Sequence, residues 1–173
     1  MTPNTNRIMK PENYLVKILF ALIVSFSSLF GNCFSQPSII WQRLYDGPYN
    51  SDDIAMDVCE VNPGFFCIAG FTQGTLYVLK IDSLGDTIWT KLYPGYNLGG
   101  GNVSAERSND GGCVIASEFI LKLDNTGNVI WEINSVGRCY DIIRTNDNGY
   151  IACGEKNILH GYIIKIDSTG LIE

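Results

Sequence analysis

The ten residues "KIDSLGDTIW" (Lys80 to Trp89) return 42 positions later as "KLDNTGNVIW" (Lys122 to Trp131), and a third copy opens at "KIDSTG" (Lys165 to Gly170). A phrase repeated at a fixed period constrains the fold strongly, because each copy must be one structural unit that stacks on the next. Trp41, Trp89 and Trp131 stand 48 and 42 residues apart. Each follows an isoleucine (Ile40, Ile88, Ile130) and precedes a glycine by six positions (Gly47, Gly95, Gly137). The third copy asks for a tryptophan at position 174, one beyond Glu173, which leads to the expectation that the chain is a fragment of a longer repeat protein.

The rest of the unit recurs more loosely. "DVCEVNPGFFCIAG", "SAERSNDGGCVIAS" and "DIIRTNDNGYIACG" each read as a strand, an Asn-Gly type turn and a second strand ending in small residues. "TLYVLKI", "EFILKL" and "GYIIKI" follow, β-prone and nearly continuous in apolar residues, as strands covered on both faces would be. Four short strands per unit with no helical period between them predict an all-β fold. The Asp-x-x-Gly element joins the third strand to the fourth. Asp82, Asp124 and Asp167 are placed to accept backbone N–H bonds there, and Gly85, Gly127 and Gly170 to take the positive φ of a type I turn followed by a G1 bulge. The lysine of the phrase has no evident role.

Four strands in about 40 to 50 residues is the pattern of a β-propeller blade, in which sheets stack face to face around an axis. The expected units are 48–89, 90–131 and 132–173, with 38–47 as the closing strand of a preceding or partner blade. About three blades are fewer than the four to eight that usually close a ring, so an open, incomplete propeller is expected. Packing between blades explains a periodic Trp41, Trp89 and Trp131 more simply than a row of ligand-stacking rings does.

Residues 1–35 read as a signal peptide: Arg7, Lys10 and Lys17 precede the apolar run Ile18 to Phe30, and Cys33-Phe34-Ser35 offers small residues for cleavage before Gln36. Thirteen apolar-dominated residues fall short of the roughly 20 needed to cross a bilayer, so no stable membrane span is expected. Asn32 before Cys33 fits a lipoprotein signal poorly. The expected location is outside the cell or on its surface, the periplasm being the alternative. The remaining 36–173 carry nine Lys and Arg against 17 Asp and Glu, a formal charge of −8, which disfavours nucleic acid as a partner.

Five cysteines stay in that part: Cys59, Cys67, Cys113, Cys139 and Cys153. An odd number cannot all pair within one chain. Cys59 and Cys67 lie symmetrically about Pro63, so a hairpin there would set them opposite one another, either as a cross-strand disulfide or as two small buried hydrophobes. No C-x-x-C spacing occurs, and His160 in the loop-like "NILHG" is the single histidine, so a structural zinc site is disfavoured; calcium has no supporting pattern, and the expectation is of no metal and no cofactor.

The phrases "NDGGCVIAS" (Asn109 to Ser117), "NDNGYIACG" (Asn146 to Gly154), "WTKLYPG" and the Lys-x-Asp-x-x-Gly turns carry a resemblance. From Ile40 onward the chain resembles secreted β-propeller-like repeat proteins of Bacteroidetes-type bacteria. Their units look like W-x-x-x-[YF]-x-G, then N-D-G-G-[YF], then K-[LI]-D-x-x-G-x-x-[IV]-W. The resemblance implies an exported or surface-attached protein, often type IX secretion cargo, with no common chemistry. "KLDNTGNVIW" is also similar to the docking motifs of quinoprotein dehydrogenase blades, one residue shorter between Asp and Gly.

Asp52, Asp53 and Asp57 form the densest acidic group, and Asp141 holds the place of Asp57 in its own repeat. Blade symmetry could bring Asp57 and Asp141 together as acid and base on a glycan, although solvated loop acids are far commoner. No phosphate loop follows "NLGGG", and no G-x-S-x-G nucleophile occurs. The sequence therefore points to a non-catalytic binding or structural module, with a glycan-active or quinoprotein-like propeller enzyme as the alternative. Its partner would be a glycan, a protein ligand, or another copy covering open blade edges.

Overall fold

A computed structural model describes residues 38–49, 51–97, 101–134, 136–157 and 160–173. The signal peptide expected at 1–35 and the new terminus at Gln36 lie outside the described residues. The chain divides into a segment ending at Ile40 and a body from Trp41 to Glu173, and the body is described below. Its eleven strands form three antiparallel sheets, none closed on itself, and no helix occurs among the described residues.

Sheet 1 holds β1 (Asp53–Asn62), β2 (Phe65–Thr72), β3 (Thr75–Asp82) and β4 (Thr87–Asn97) in that spatial order. Sheet 2 repeats it with β5 (Ser104–Arg107), β6 (Cys113–Ala116), β7 (Phe119–Leu123) and β8 (Val129–Asn134). Sheet 3 has three strands, β9 (Arg138–Arg144), β10 (Tyr150–Lys156) and β11 (His160–Ile166), followed by a single bridge between Ile166 and Ile172. The fourth strands β4 and β8 run on past Trp89 and Trp131, to Asn97 and Asn134. His160, expected in a loop, opens β11 opposite Lys156 and is exposed.

The sheets stack in chain order. Cys67, Ala69, Leu76 and Val78 of sheet 1 pack on Cys113, Ile115, Leu121 and Leu123 of sheet 2. The opposite face of sheet 2, through Val114, Ala116 and Ile120, packs on Cys139, Ile142, Tyr150, Ala152 and Ile164 of sheet 3. All four residues of β6 are buried, the pattern of a strand covered on both faces. The first strands are neighbours, β1 beside β5 and β5 beside β9. Equivalent positions of successive sheets therefore meet along one line.

Two strands carry an irregularity that matters for that line. Register shifts fall between Ala55 and Asp57 in β1, and opposite the step from Cys153 to Gly154, where β9 passes from Asp141 to Cys139. A bulge leaves one residue unpaired and re-aims the next side chain. It re-aims Asp57 and Asp141.

Candidate functional site

Asp57, Ser104 and Asp141 occupy the same position in sheets 1, 2 and 3, opposite Ala69, Ala116 and Cys153 respectively. The Ser104 hydroxyl lies 3.1 Å from Asp57 Oδ2 and 3.1 Å from Asp141 Oδ1, so the two carboxylates meet at one hydroxyl. A hydroxyl has a single proton and donates to one of them at a time. The backbone adds further donors. Asp57 accepts the N–H of Val58 at 2.8 Å and, across the sheet boundary, that of Ala105 at 2.8 Å, while Asp141 accepts that of Ile142 at 2.9 Å. Chemically the row is a clip: two carboxylates tie sheets 1 and 3 to the first strand of sheet 2. Asp53 stays out of it, accepting the Gly47 N–H at 2.6 Å, and Asp52 is exposed. Ser104 has no acidic signal, so sequence reasoning missed it. The alignment of "DVCE", "SAER" and "DIIR" was the clue.

The Asp-x-x-Gly turns build the second recurring constellation. Asp82 Oδ1 accepts the N–H groups of Leu84 and Asp86, Asp124 Oδ1 those of Thr126 and Asn128, and Asp167 Oδ1 those of Thr169 and Leu171. Gly85, Gly127 and Gly170 have φ of 79°, 77° and 92°, the left-handed region that glycine enters without strain. A tryptophan from the preceding unit lies on each turn. Trp41 Nε1 donates to the Ser83 carbonyl at 3.0 Å, Trp89 Nε1 to that of Asn125 at 3.0 Å and Trp131 Nε1 to that of Ser168 at 3.2 Å. A Cβ on Gly127 would come 3.0 Å from the Trp89 ring, and one on Gly170 2.8 Å from the Trp131 ring. The glycine thus serves the turn and the docked indole together.

Two more side chains, two and four residues after the first two tryptophans, complete the joint. Tyr45 and Tyr93 donate to the carbonyls of Gly85 and Gly127 at 2.8 and 2.7 Å. Arg43 reaches Asp86 at 3.2 Å and Lys91 reaches Asn128 at 2.9 Å. The tyrosines were legible in the W-x-x-x-[YF] spacing; the basic residues were not. In the third copy the spacing puts Ser135 where the tyrosines stand.

The lysine of the phrase also finds its partner. Lys122 pairs with Asp110 at 3.0 Å and Lys165 with Asp147 at 2.8 Å, each tying its strand to the Asn-Asp turn of its own sheet. Sheet 1 has Pro63 in place of that aspartate, and Lys80 turns instead to the next sheet, donating to the Gly111 carbonyl at 3.1 Å and to Asn125 Oδ1.

These turns make the fold acid-sensitive. The Asn128 N–H, with Thr126, holds the Asp124 carboxyl down at about 2 despite some opposing desolvation. Lys165 sets Asp147 well below the usual range, and the Leu171 N–H lowers Asp167. Burial pushes Asp110 upward, but the Ser108 hydroxyl, Lys122 and the Gly112 N–H outweigh it. An unfolded carboxyl takes up its proton near pH 4, whereas these folded ones resist, so the unfolded chain binds more protons as pH falls. Stability from these groups is complete above about pH 5 and is lost on the way down to about pH 2. Urea melts across that range are expected to show the decline, and Asp124→Asn to flatten it.

Cys59 and Cys67, read from the sequence either as a disulfide or as two small buried hydrophobes, meet a third thiol in the fold. Cys59 does stand opposite Cys67 in the register of β1 and β2, yet the Cys67 sulfur lies 2.6 Å from that of Cys113 in sheet 2. All five described cysteines are thiols here, and Cys67 and Cys113 are each 1% exposed. Directly opposed residues share a face of the sheet, and that face is the one against which Cys113 packs. The neighbouring sulfur, with burial, pushes the Cys67 thiol well up. On refolding with glutathione disulfide, the two thiols are expected to give up two protons and two electrons, releasing two glutathione molecules and forming Cys67–Cys113. Non-reducing peptide mapping checks this, with Cys59 remaining open to alkylation in the unfolded chain.

A polar groove of about 480 Å³ crosses the ends of all three sheets. Tyr96, Glu118, Phe119, Arg138, Glu155 and Lys156 line it. Arg138 lies 3.1 Å from Glu155 and 3.9 Å from Glu118, and the Tyr96 and Phe119 rings meet edge to face at 4.8 Å. No group of His, Cys, Asp and Glu among the described residues is arranged to hold a metal ion.

No protein-family model matches the chain, and no curated protein matches it. Among solved structures it is similar to a protein of unknown function from Bacteroides caccae, at 14% identity and a TM-score of 0.49. That likeness covers 78% of this chain and 48% of the other, so the chain spans about half the length of the structure it matches.

Proposed function

We propose that the chain is an exported, non-catalytic repeat module whose sheets are propeller-type blades, with a binding or structural role. The observation that carries this reading is the docking joint, in which a tryptophan of one unit lies on the Asp-x-x-Gly turn of the next at three places. The carboxylates support it too, because Asp57 and Asp141 spend acceptor positions on backbone N–H groups and on Ser104. A ligand would be held in the groove, where ring edges and a guanidinium between two carboxylates suit the hydroxyls and apolar faces of a glycan.

A glycan array on the labelled protein tests the binding role, and Arg138→Ala is expected to weaken any captured glycan at least tenfold. The enzyme reading draws on Asp57 and Asp141 meeting at one hydroxyl. Turnover of the glycan that disappears in Asp57→Asn, with folding intact, would establish that reading in place of ours. Export is tested by the mass of the secreted protein: it is expected to begin at Gln36, and a chain retaining Met1 would remove the export claim.

A further inference from the structure

Nine lysines and arginines lie in 36–173, all among the described residues. Six have the ion-pair or hydrogen-bond partners given above, and Lys156 lies 5.1 Å from the centre of the Tyr162 ring. Arg107 and Arg144 are the two whose side chains have no such partner among the described residues, and both line one pocket of about 240 Å³.

The topology explains why they meet. Arg107 and Arg144 end β5 and β9, three positions after Ser104 and Asp141, and Glu60 holds the same place in β1. The first strands are neighbours, so these residues converge as the row of Asp57, Ser104 and Asp141 does, roughly 10 Å further along the strands. The Asn109 amide donates to Asn148 Oδ1 at 2.7 Å and so ties together the turns that follow the two arginines.

The carboxylates nearby are engaged elsewhere. Glu60 Oε1 accepts the Gly64 N–H at 2.9 Å, Glu106 Oε1 accepts the backbone N–H of Arg107 at 2.8 Å, and Asp110 pairs with Lys122 at 3.0 Å. Two guanidiniums against the one carboxylate of Glu60 leave the lining of the pocket net positive. Arg144 is half-buried, and a cation drawn partly out of water without a counter-charge is costly. The acidic excess of the chain does not cancel this locally, because at physiological salt exposed charges more than about 8 Å away are largely screened.

We infer that this pocket binds an oxyanion, a carboxylate or sulfate group, gripped by Arg107 of sheet 2 and Arg144 of sheet 3. A guanidinium is a planar fork that meets two oxygens of such a group at once. The Asn109 amide also lines the pocket and keeps a second N–H to offer it. The volume is below the roughly 300–1,000 Å³ that encloses a drug-sized ligand, so the site takes one charged group and leaves what bears it outside. It shares no lining residue with the Arg138 groove, and it goes beyond the glycan and propeller-type readings without resting on either.

The test is an NMR titration of the full chain with sodium sulfate, with sodium glucuronate and, as the uncharged control, with glucose, at constant ionic strength. Both anions are expected to shift the Arg107 and Arg144 Nε–H signals along saturating curves, and glucose to leave them in place. Tighter binding of glucuronate than of sulfate would identify an acidic sugar as the source of the anion, and the reverse order a free tetrahedral ion; either result supports the site. Arg144→Gln is expected to weaken binding about tenfold, the worth of one charged hydrogen-bond donor. Arg144→Lys keeps the charge but not the fork and is expected to weaken it several-fold. The double substitution Arg107→Gln with Arg144→Gln is expected to abolish binding with the circular dichroism unchanged, whereas Arg138→Ala is expected to leave it intact. Shifts that stay linear for both anions, or saturating curves that the double substitution does not alter, would overturn the inference.

Discussion

Trp89→Ala is expected to destabilise the folded chain by about 3 kcal/mol, the lower end for truncating a large packed aromatic, and Trp89→Phe by about 1 kcal/mol. Trp89 is half-buried, which places it at the lower end, and its ring covers the Gly127 turn while packing beside the core shared by sheets 1 and 2. Alanine removes that apolar cover and also the N–H donated to the Asn125 carbonyl at 3.0 Å. Phenylalanine restores most of the area without the donor, so the difference between the two variants separates packing from the hydrogen bond. For a body of this size the alanine change corresponds to a fall of roughly 10 °C in Tm. A loss under about 1 kcal/mol for alanine would mean that the indole is not part of the joint between sheets.

Gly70→Ala is expected to cost about 3 kcal/mol or more, because no flexible side chain can yield to the new methyl. A Cβ on Gly70 would lie 1.9 Å from the Ile54 carbonyl oxygen and 2.9 Å from the Ala55 Cα, both backbone atoms of β1 beside its bulge. Gly154 faces β9 in the same way, 1.9 Å from the Arg138 carbonyl oxygen. Relieving either clash means moving the bulge, and the bulge aims Asp57 or Asp141 at Ser104. Gly161→Ala is the control: nothing lies within 4 Å of its Cβ and its φ is not positive. It is expected to be neutral or stabilising by about 0.5 kcal/mol, through the smaller entropy of the unfolded chain. Chemical melts of these two variants decide the matter, and a Gly70→Ala protein as stable as Gly161→Ala would show that β1 shifts at little cost.

Much of this fold was legible in the sequence because its determinants are local. Asp124 and Gly127 are three residues apart, and the hydrogen bonds that make their turn span no more than four, so "KLDNTGNVIW" carries nearly everything needed to form it. The strands were legible for the same reason, since alternation and β-branched content act residue by residue. The strand count of the third sheet came out differently, three rather than four, with only the bridge from Ile166 to Ile172 beyond β11 among the described residues.

The candidate site was half legible. Symmetry of the repeat pointed to Asp57 and Asp141, but the residue that joins them is Ser104, which breaks that symmetry. Cys59 and Cys67 were correctly placed opposite one another, yet being opposite only put both on one face of the sheet. The sequence did not show that Cys113, 46 residues on from Cys67, enters from the next sheet and brings its sulfur to Cys67.

By itself, then, the sequence determined an all-β chain of repeated four-strand phrases, its Asp-x-x-Gly turns, and the periodic tryptophans that join one unit to the next. Only the tertiary structure decided that Ser104 bridges two carboxylates, that Cys67 faces Cys113, and that the lysines split between their own sheet and the next. The physical reason is range. Turns and alternation are set by neighbours a few residues away, whereas contacts between sheets depend on the offset of one stacked surface against another, and a bulge of one residue is enough to re-aim a side chain across that boundary.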